Sequence, residues 1–335
     1  MKYTIRCTIF ICCFFLVKSN AQDLVYSQFF SAPLQLNPGF TGRTYSPFIA
    51  INHRRQWPGI VDGTAAYVTS SVSYDQFFKN LNSGFGVTVM SDNSGGGIIK
   101  KNTTALSYGY RLKIVDEMYI KLGVEAGLSQ NRLDWNQLLF YDQLDPINGP
   151  GSLPTNEIQP ENLSRTYFDV STGFLLYSPR FYAGLTFKHL NTPDEGFLKI
   201  NDNLFTGLPM RVNIHAGTEI ILDKGNNRRE ATFISPNILI SKQGDFAQVD
   251  AGIYGNIRMV LLGASYRHTF GNADAVIAMV GVKEGVFKMI YSYDVTVSDL
   301  TLMRTGGSHE ISLIFNFDAL RPRGIDYNDC MNLFR

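Results

Sequence analysis

Apolar and polar residues alternate with a period of two along most of this chain. In "TALSYGYRLKI", Leu106, Tyr108, Tyr110, Leu112 and Ile114 share one face, and Ser107, Gly109, Arg111 and Lys113 share the other. "MYIKLGVEAGLS" and "MRVNIHAGTEI" repeat the pattern at 118–129 and 210–220. Successive strand side chains point to opposite faces, so each segment has one apolar and one polar side. The pattern predicts strands at 45–57, 64–78, 83–91, 102–115, 117–130, 166–178, 180–190, 209–222, 231–241, 245–255, 257–268, 273–283, 285–296 and 307–318. A soluble sandwich would alternate in the same way. These segments are longer than the usual soluble strand of about five or six residues, and about ten tilted residues cross a bilayer. Their polar faces carry glycines and isolated charges, which suits a wet lumen.

The expected fold is therefore all-β, a transmembrane antiparallel barrel of about 14 strands with short periplasmic turns and longer extracellular loops. If the chain enters from the periplasm, the four longest links, 131–165, 191–208, 297–306 and 92–101, all fall outside. Pro236 interrupts the 231–241 segment. In the closing strand, "SHEISLIFNFD", His309, Ile311, Leu313, Phe315 and Phe317 oppose Glu310, Ser312, Ile314, Asn316 and Asp318.

The amino terminus changes the compartment. A basic "MKYTIR", the apolar "CTIFICCFFLV" and Ser19-Asn20-Ala21 fit a secretory leader, residues 1–21, cut before Gln22. The apolar run is too short to span a bilayer. Of the four cysteines only Cys330 would remain, so no internal disulfide is expected. With 30 basic and 29 acidic residues, no basic patch argues for nucleic acid. Residues 22–44 do not alternate. They carry Tyr26, Phe29, Phe30, Asn37, Pro38 and Phe40, and the prolines keep them out of the sheet. Either they fold into the periplasmic mouth or lumen as a strap, or they form a leader packed against the tail. The barrel would occupy 45–318, and 319–335 would be a periplasmic tail.

Candidate chemistry is sparse. The five histidines lie in five segments with no HxxxH or HxH spacing, and no GxSxG elbow occurs. No catalysis, metal or cofactor is expected. "DNSGGGIIKKN" (92–102) lacks the helix a phosphate loop needs and reads as a flexible outer loop. Arg111, Lys113, Lys121, Glu125, Arg211, Glu219, Lys288, Asp294 and Glu310 fall on polar strand faces. Facing lipid, an Arg or Lys would cost about 2–4 kcal/mol at midplane; facing inward they either pair along the wall or line a solute path. The longest link, 133–162, offers Trp135, Phe140 and Tyr141 as anchors for a partner, or serves as a lid.

The opening "QDLVYSQFFSAPLQLNPGFTG", followed by "HRRQW", resembles the start of the PorP/SprF family of type IX secretion membrane proteins. Similar blocks follow in order: "FDVSTGFLLYSPRFYAGLTFKHL", "MRVNIHAGTEI", "LLGASYRHT" and "MIYSYDVTVSDLTLMRTGGSHEISLIFNF". The resemblance implies a Bacteroidetes outer-membrane protein that supports secretion or surface attachment of exported proteins, gliding adhesins among them. The implied partners are proteins carrying a type IX C-terminal signal domain, other type IX components and outer-membrane lipid. The ending "DCMNLFR" lacks the family's usual Cys-Pro, so Cys330 receives no role. The alternative is a plugged-barrel transporter of hydrophobic or small solutes. That reading expects a continuous path, sensitive to narrowing at Gly109, Gly127 or Gly217.

Overall fold

The computed structural model describes residues 23–61, 64–145, 149–150, 154–197, 207–223, 232–298, 301–320 and 334. Residues 1–22, where a leader is expected, most of 319–335 including Cys330, and the link 224–231 lie outside the described residues.

Fourteen antiparallel strands form one closed barrel. They are β1 (Phe48–Gln56), β2 (Tyr67–Phe78), β3 (Ser83–Ser94), β4 (Ile99–Val115), β5 (Met118–Leu133), β6 (Ser164–Tyr177), β7 (Phe181–Lys188), β8 (Arg211–Thr218, continued by Ile220–Asp223), β9 (Thr232–Gln243), β10 (Phe246–Ile257), β11 (Val260–Thr269), β12 (Asn272–Glu284), β13 (Phe287–Thr296) and β14 (Ser308–Asn316). Each pairs with the next, and β14 pairs with β1 from Phe48↔Asn316 to Gln56↔Ser308. Closure leaves no backbone edge open to lipid, as a hydrocarbon surround requires.

The period-two pattern sets what faces where. Along β4, Leu106, Tyr108, Tyr110 and Leu112 are exposed on the outer wall, while Ser107 is buried inside. Along β14, Glu310, Ser312 and Ile314 are buried inside, and Ile311 is exposed outside. Near the short-turn end, Phe78, Phe85 and Tyr108 stack edge-on across three strands, with centroids 5.7 and 5.3 Å apart. Such outward aromatics suit the boundary between lipid and water.

All fourteen expected strands are present, with corrected ends. The 92–101 link is not a long flexible loop: β3 runs to Ser94 and β4 starts at Ile99. Gly95, Gly96 and Gly97 all adopt positive φ and make a tight reversal between them. The long links at that end of the barrel are 57–66, 134–163, 189–210 and 297–307. The first strand starts at Phe48 rather than 45, because Tyr45 and Ser46 are buried with the segment before them.

Pro236 stands within β9, where its missing N–H costs little. Pairing to β8 covers Gly217↔Asn237 and resumes at Ile220↔Ile234, so Pro236 falls in the gap. Ser235 Oγ donates to the Thr218 carbonyl there (2.9 Å), and Glu219 N donates to the Arg180 carbonyl (2.7 Å). A proline is tolerated in a sheet where the ladder is broken.

Candidate functional site

Residues 23–47 run through the barrel lumen, turning in short helical steps. Pro33 opens helix α1 (Pro33–Leu36), and Pro38 opens the 3-10 turn Pro38–Phe40. A proline suits the first helical position, where its N–H would be unpaired anyway. Asn37 caps the second turn, its Oδ1 accepting from Gly39 N at 2.7 Å. The same Asn37 crosses to the wall, donating through Nδ2 to the Phe174 carbonyl (3.0 Å) and lying 3.0 Å from His215 Nε2.

The aromatic residues of this segment are all buried. Phe29 and Phe30 pack on Tyr254 of β10, with centroids at 6.2 and 4.8 Å. Phe40 stacks on His215 of β8 at 5.5 Å and on Phe334 at 4.6 Å, and the Tyr26 hydroxyl donates to Ser71 Oγ at 2.8 Å. Pro38 is buried against the β5 and β6 glycines. Phe334 belongs to the tail, yet it lies inside the barrel against Tyr182 as well.

Wall glycines make room for this path. A Cβ on Gly123 would stand 2.2 Å from the Pro38 carbonyl carbon, and one on Gly84 would stand 2.5 Å from the Gly42 Cα. Gly109 meets the Thr41 carbonyl oxygen at 2.8 Å, and Gly217 meets the Asn237 side chain at 2.0 Å. Gly109 and Gly217 therefore face occupied space, and Gly127 faces Ala105 and Thr104 of β4. The cavity bordering the segment between Tyr26, Gln35 and Arg211 is about 20 Å3, roughly the room for one water.

Three polar clusters hold the segment along its length. In the first, Arg54 of β1 bonds Glu310 of β14 (3.0 Å) and Asp294 of β13 (2.9 Å), and Arg267 of β11 bonds Asp294 (3.2 Å). Ser27 enters this cluster. Its hydroxyl donates to Asp294 Oδ2 (2.6 Å) and accepts from Arg267 Nη2 (2.6 Å) and from Arg54 Nη1. The two carboxylate oxygens of Glu310 accept from the backbone N–H groups of Ser27 and Gln28, both at 2.9 Å. Charge-assisted bonds of this kind are about twice as strong as neutral ones.

The second cluster lies toward the short-turn end. Asp75 of β2 pairs with Arg43 (2.8 Å) and accepts from Gly42 N (2.9 Å), while Lys121 of β5 donates to the Thr41 and Gly42 carbonyls. The third cluster lies at the loop-bearing end. Asp23 is bonded by His189 at the end of β7, by Lys101 near the start of β4 (3.3 Å) and by Gln243 at the end of β9 (3.0 Å to its N). His189 Nδ1 stands 2.8 Å from Asp169. Burial works against the His189 charge, but Asp23 and Asp169 outweigh it and hold its pKa above the ordinary value. Burial likewise disfavours the Asp23 carboxylate, yet Lys101, His189 and Arg211 bring it well below its usual range.

The sequence-predicted charges are distributed over this wall rather than gathered at one point. Asp294, Glu310 and Lys121 bond the segment directly. Arg211 Nη1 donates to the Leu24 carbonyl (3.1 Å), and Glu125 pairs with Lys188 (3.4 Å). Arg111 lies over the Phe77 ring at 4.4 Å, Glu219 and Lys288 are buried, and Lys113 sits at the rim with Asp116 (2.7 Å). Arg54, Arg267 and Asp75 were missed, although their places on the polar faces of alternating segments would have flagged them. Asp23, Ser27 and Phe334 carry no local signal, because their partners lie far away in sequence. On the longest outer link, Trp135 and Phe140 stack on one another at 4.7 Å and are half-buried, whereas Tyr141 is 90% exposed. Among the described residues no His, Cys, Asp and Glu cluster could hold a metal ion, and no helix is long and apolar enough to cross a membrane.

The profile of the type IX secretion system membrane protein PorP/SprF family matches residues 18–315. The chain belongs to the PorP/SprF family. This PorP/SprF protein is thus a type IX secretion membrane component, integral to the outer membrane. No curated protein matches it. Solved structures similar to it include Acinetobacter baumannii Omp33, at 9% identity with a TM-score of 0.44, covering 83% of this chain and 100% of that one. A TodX deltaS2S3 mutant monoaromatic hydrocarbon channel is 10% identical with a TM-score of 0.45, covering 84% and 92%. The KdgM porin is 8% identical with a TM-score of 0.39, covering 81% and 99%.

Proposed function

We propose that this PorP/SprF protein is a non-enzymatic docking component. It supports secretion or surface attachment of exported proteins that carry a type IX C-terminal signal domain, gliding adhesins among them. One observation carries the reading: the lumen is occupied along its length by the protein's own residues 23–47, fastened by ion pairs and charge-assisted hydrogen bonds. A filled barrel suits holding a partner rather than passing a solute. The exposed Tyr141, with Leu139 and Ile158 on the same outer link, supplies apolar contact surface at the loop-bearing end.

Comparison of surface and culture-fluid proteomes with and without the gene tests this. One exported protein, or a small set, should leave the surface when the gene is deleted. Loss of all type IX cargo together would place the protein in the core machinery. An unchanged surface would end the secretion reading.

A further inference from the structure

The lumenal segment has a direction. Its Asp23 end is tied to Lys101, His189 and Gln243, which all stand at strand ends next to outer links. Its far end is tied to the opposite mouth: Ser46 N donates to Asp318 Oδ1 (3.3 Å), and Phe317 N donates to the Pro47 carbonyl (3.1 Å). Between them the contacts descend in order, from Ser27 on Glu310, through Asn37 on Phe174, to Arg43 on Asp75. The segment thus begins at the loop-bearing mouth, traverses the barrel and only then enters β1 at the short-turn end.

We infer that the Asp23 end of the lumenal segment is reached from the cell surface, at the mouth that carries the 134–163 and 189–210 links. This rests on the outer-membrane orientation used above, with long links outside. One consequence follows from geometry: the Asp23 end joins the face that meets an exported partner.

The test uses the full-length protein in its own cells, in a Cys330→Ser background, probed with a membrane-impermeant maleimide. Gln22→Cys reports the Asp23 end of the segment. Tyr141→Cys reports the outer link, and Lys79→Cys reports the turn after β2. Gln22→Cys should label on intact cells as strongly as Tyr141→Cys. Labelling that appears only after permeabilisation, as for Lys79→Cys, overturns the inference, and so does labelling that appears only after unfolding. Should Tyr141→Cys itself be unreachable from outside while Gln22→Cys behaves as it does, the orientation fails and the shared mouth stands. Where Gln22→Cys does not reach the membrane, an epitope inserted between residues 22 and 23, read by antibody on intact cells, gives the same answer.

Discussion

Gly123 faces the lumen where the Pro38–Gly39 peptide crosses it, and a Cβ there would overlap that peptide. Gly123→Val should therefore destabilise the folded barrel by about 1–3 kcal/mol, the usual cost of overpacking. The check is the temperature at which the folded form is lost in a gel-mobility series. Gly127→Val is the comparison: its nearest neighbour is the Ala105 Cβ at 3.2 Å, and it should cost less. Glu310 makes a second residue-level test. Removing its charge leaves Asp294 as the one carboxylate paired with Arg54 and leaves two backbone N–H groups without their acceptor. Glu310→Ala should cost about 3–5 kcal/mol, as expected when one partner of a buried pair is removed, by the same assay. At this scale the sequence was half legible. The parity of an alternating strand tells that Asp294 and Glu310 face inward, but not that they meet Arg54 from another strand and Ser27 from outside the sheet. Those pairings need the closed ring.

The lumenal segment is an element whose fastening at the outer mouth depends on pH. His189 is raised and Asp23 lowered by their mutual contact and by Asp169, Lys101 and Arg211, with Glu195 beside Lys101. A raised histidine contributes in full below its ordinary pKa and loses its share as pH rises through the folded value. A lowered carboxylate contributes above its ordinary value and loses it as pH falls. The clamp should thus be complete between about pH 4 and about pH 6.5 and weaken on the alkaline side. Hydrogen exchange at Leu24 and Val25, corrected for intrinsic rates, should speed up from neutral to alkaline pH. In His189→Gln it should be fast throughout. Strand existence was readable because each strand keeps one face in lipid and one in the lumen. Strand ends were not, because the polar residues Asp92, Asn93, Ser94, Lys100 and Lys101 continue the ladder beyond the apolar band. The irregular residues 26–42 announced their exclusion from the sheet through Pro33 and Pro38, while their position inside it depends on contacts with strands all around the barrel.

For the molecule as a whole, a filled lumen makes an electrical prediction. The purified protein in a planar bilayer should carry no steady current. A barrel in which Ser27→Ala and Arg43→Ala together loosen both buried clusters should show flickering conductance; a silent double variant that remains folded would mean that the outer clamp and the aromatic packing suffice. Closure of the ring was predictable from an even strand count and from the bar on open edges in lipid. The occupant of the ring was not, since nothing local distinguishes a lumenal segment from one packed beneath the barrel. One detail reaches into time. Phe40 is synthesised before the first strand and Phe334 after the last, and the two rings share one stack inside the barrel. The bolt precedes all fourteen strands in the chain and its pin follows them, so a chain cut short before Phe334 would assemble its wall around a bolt that was never pinned.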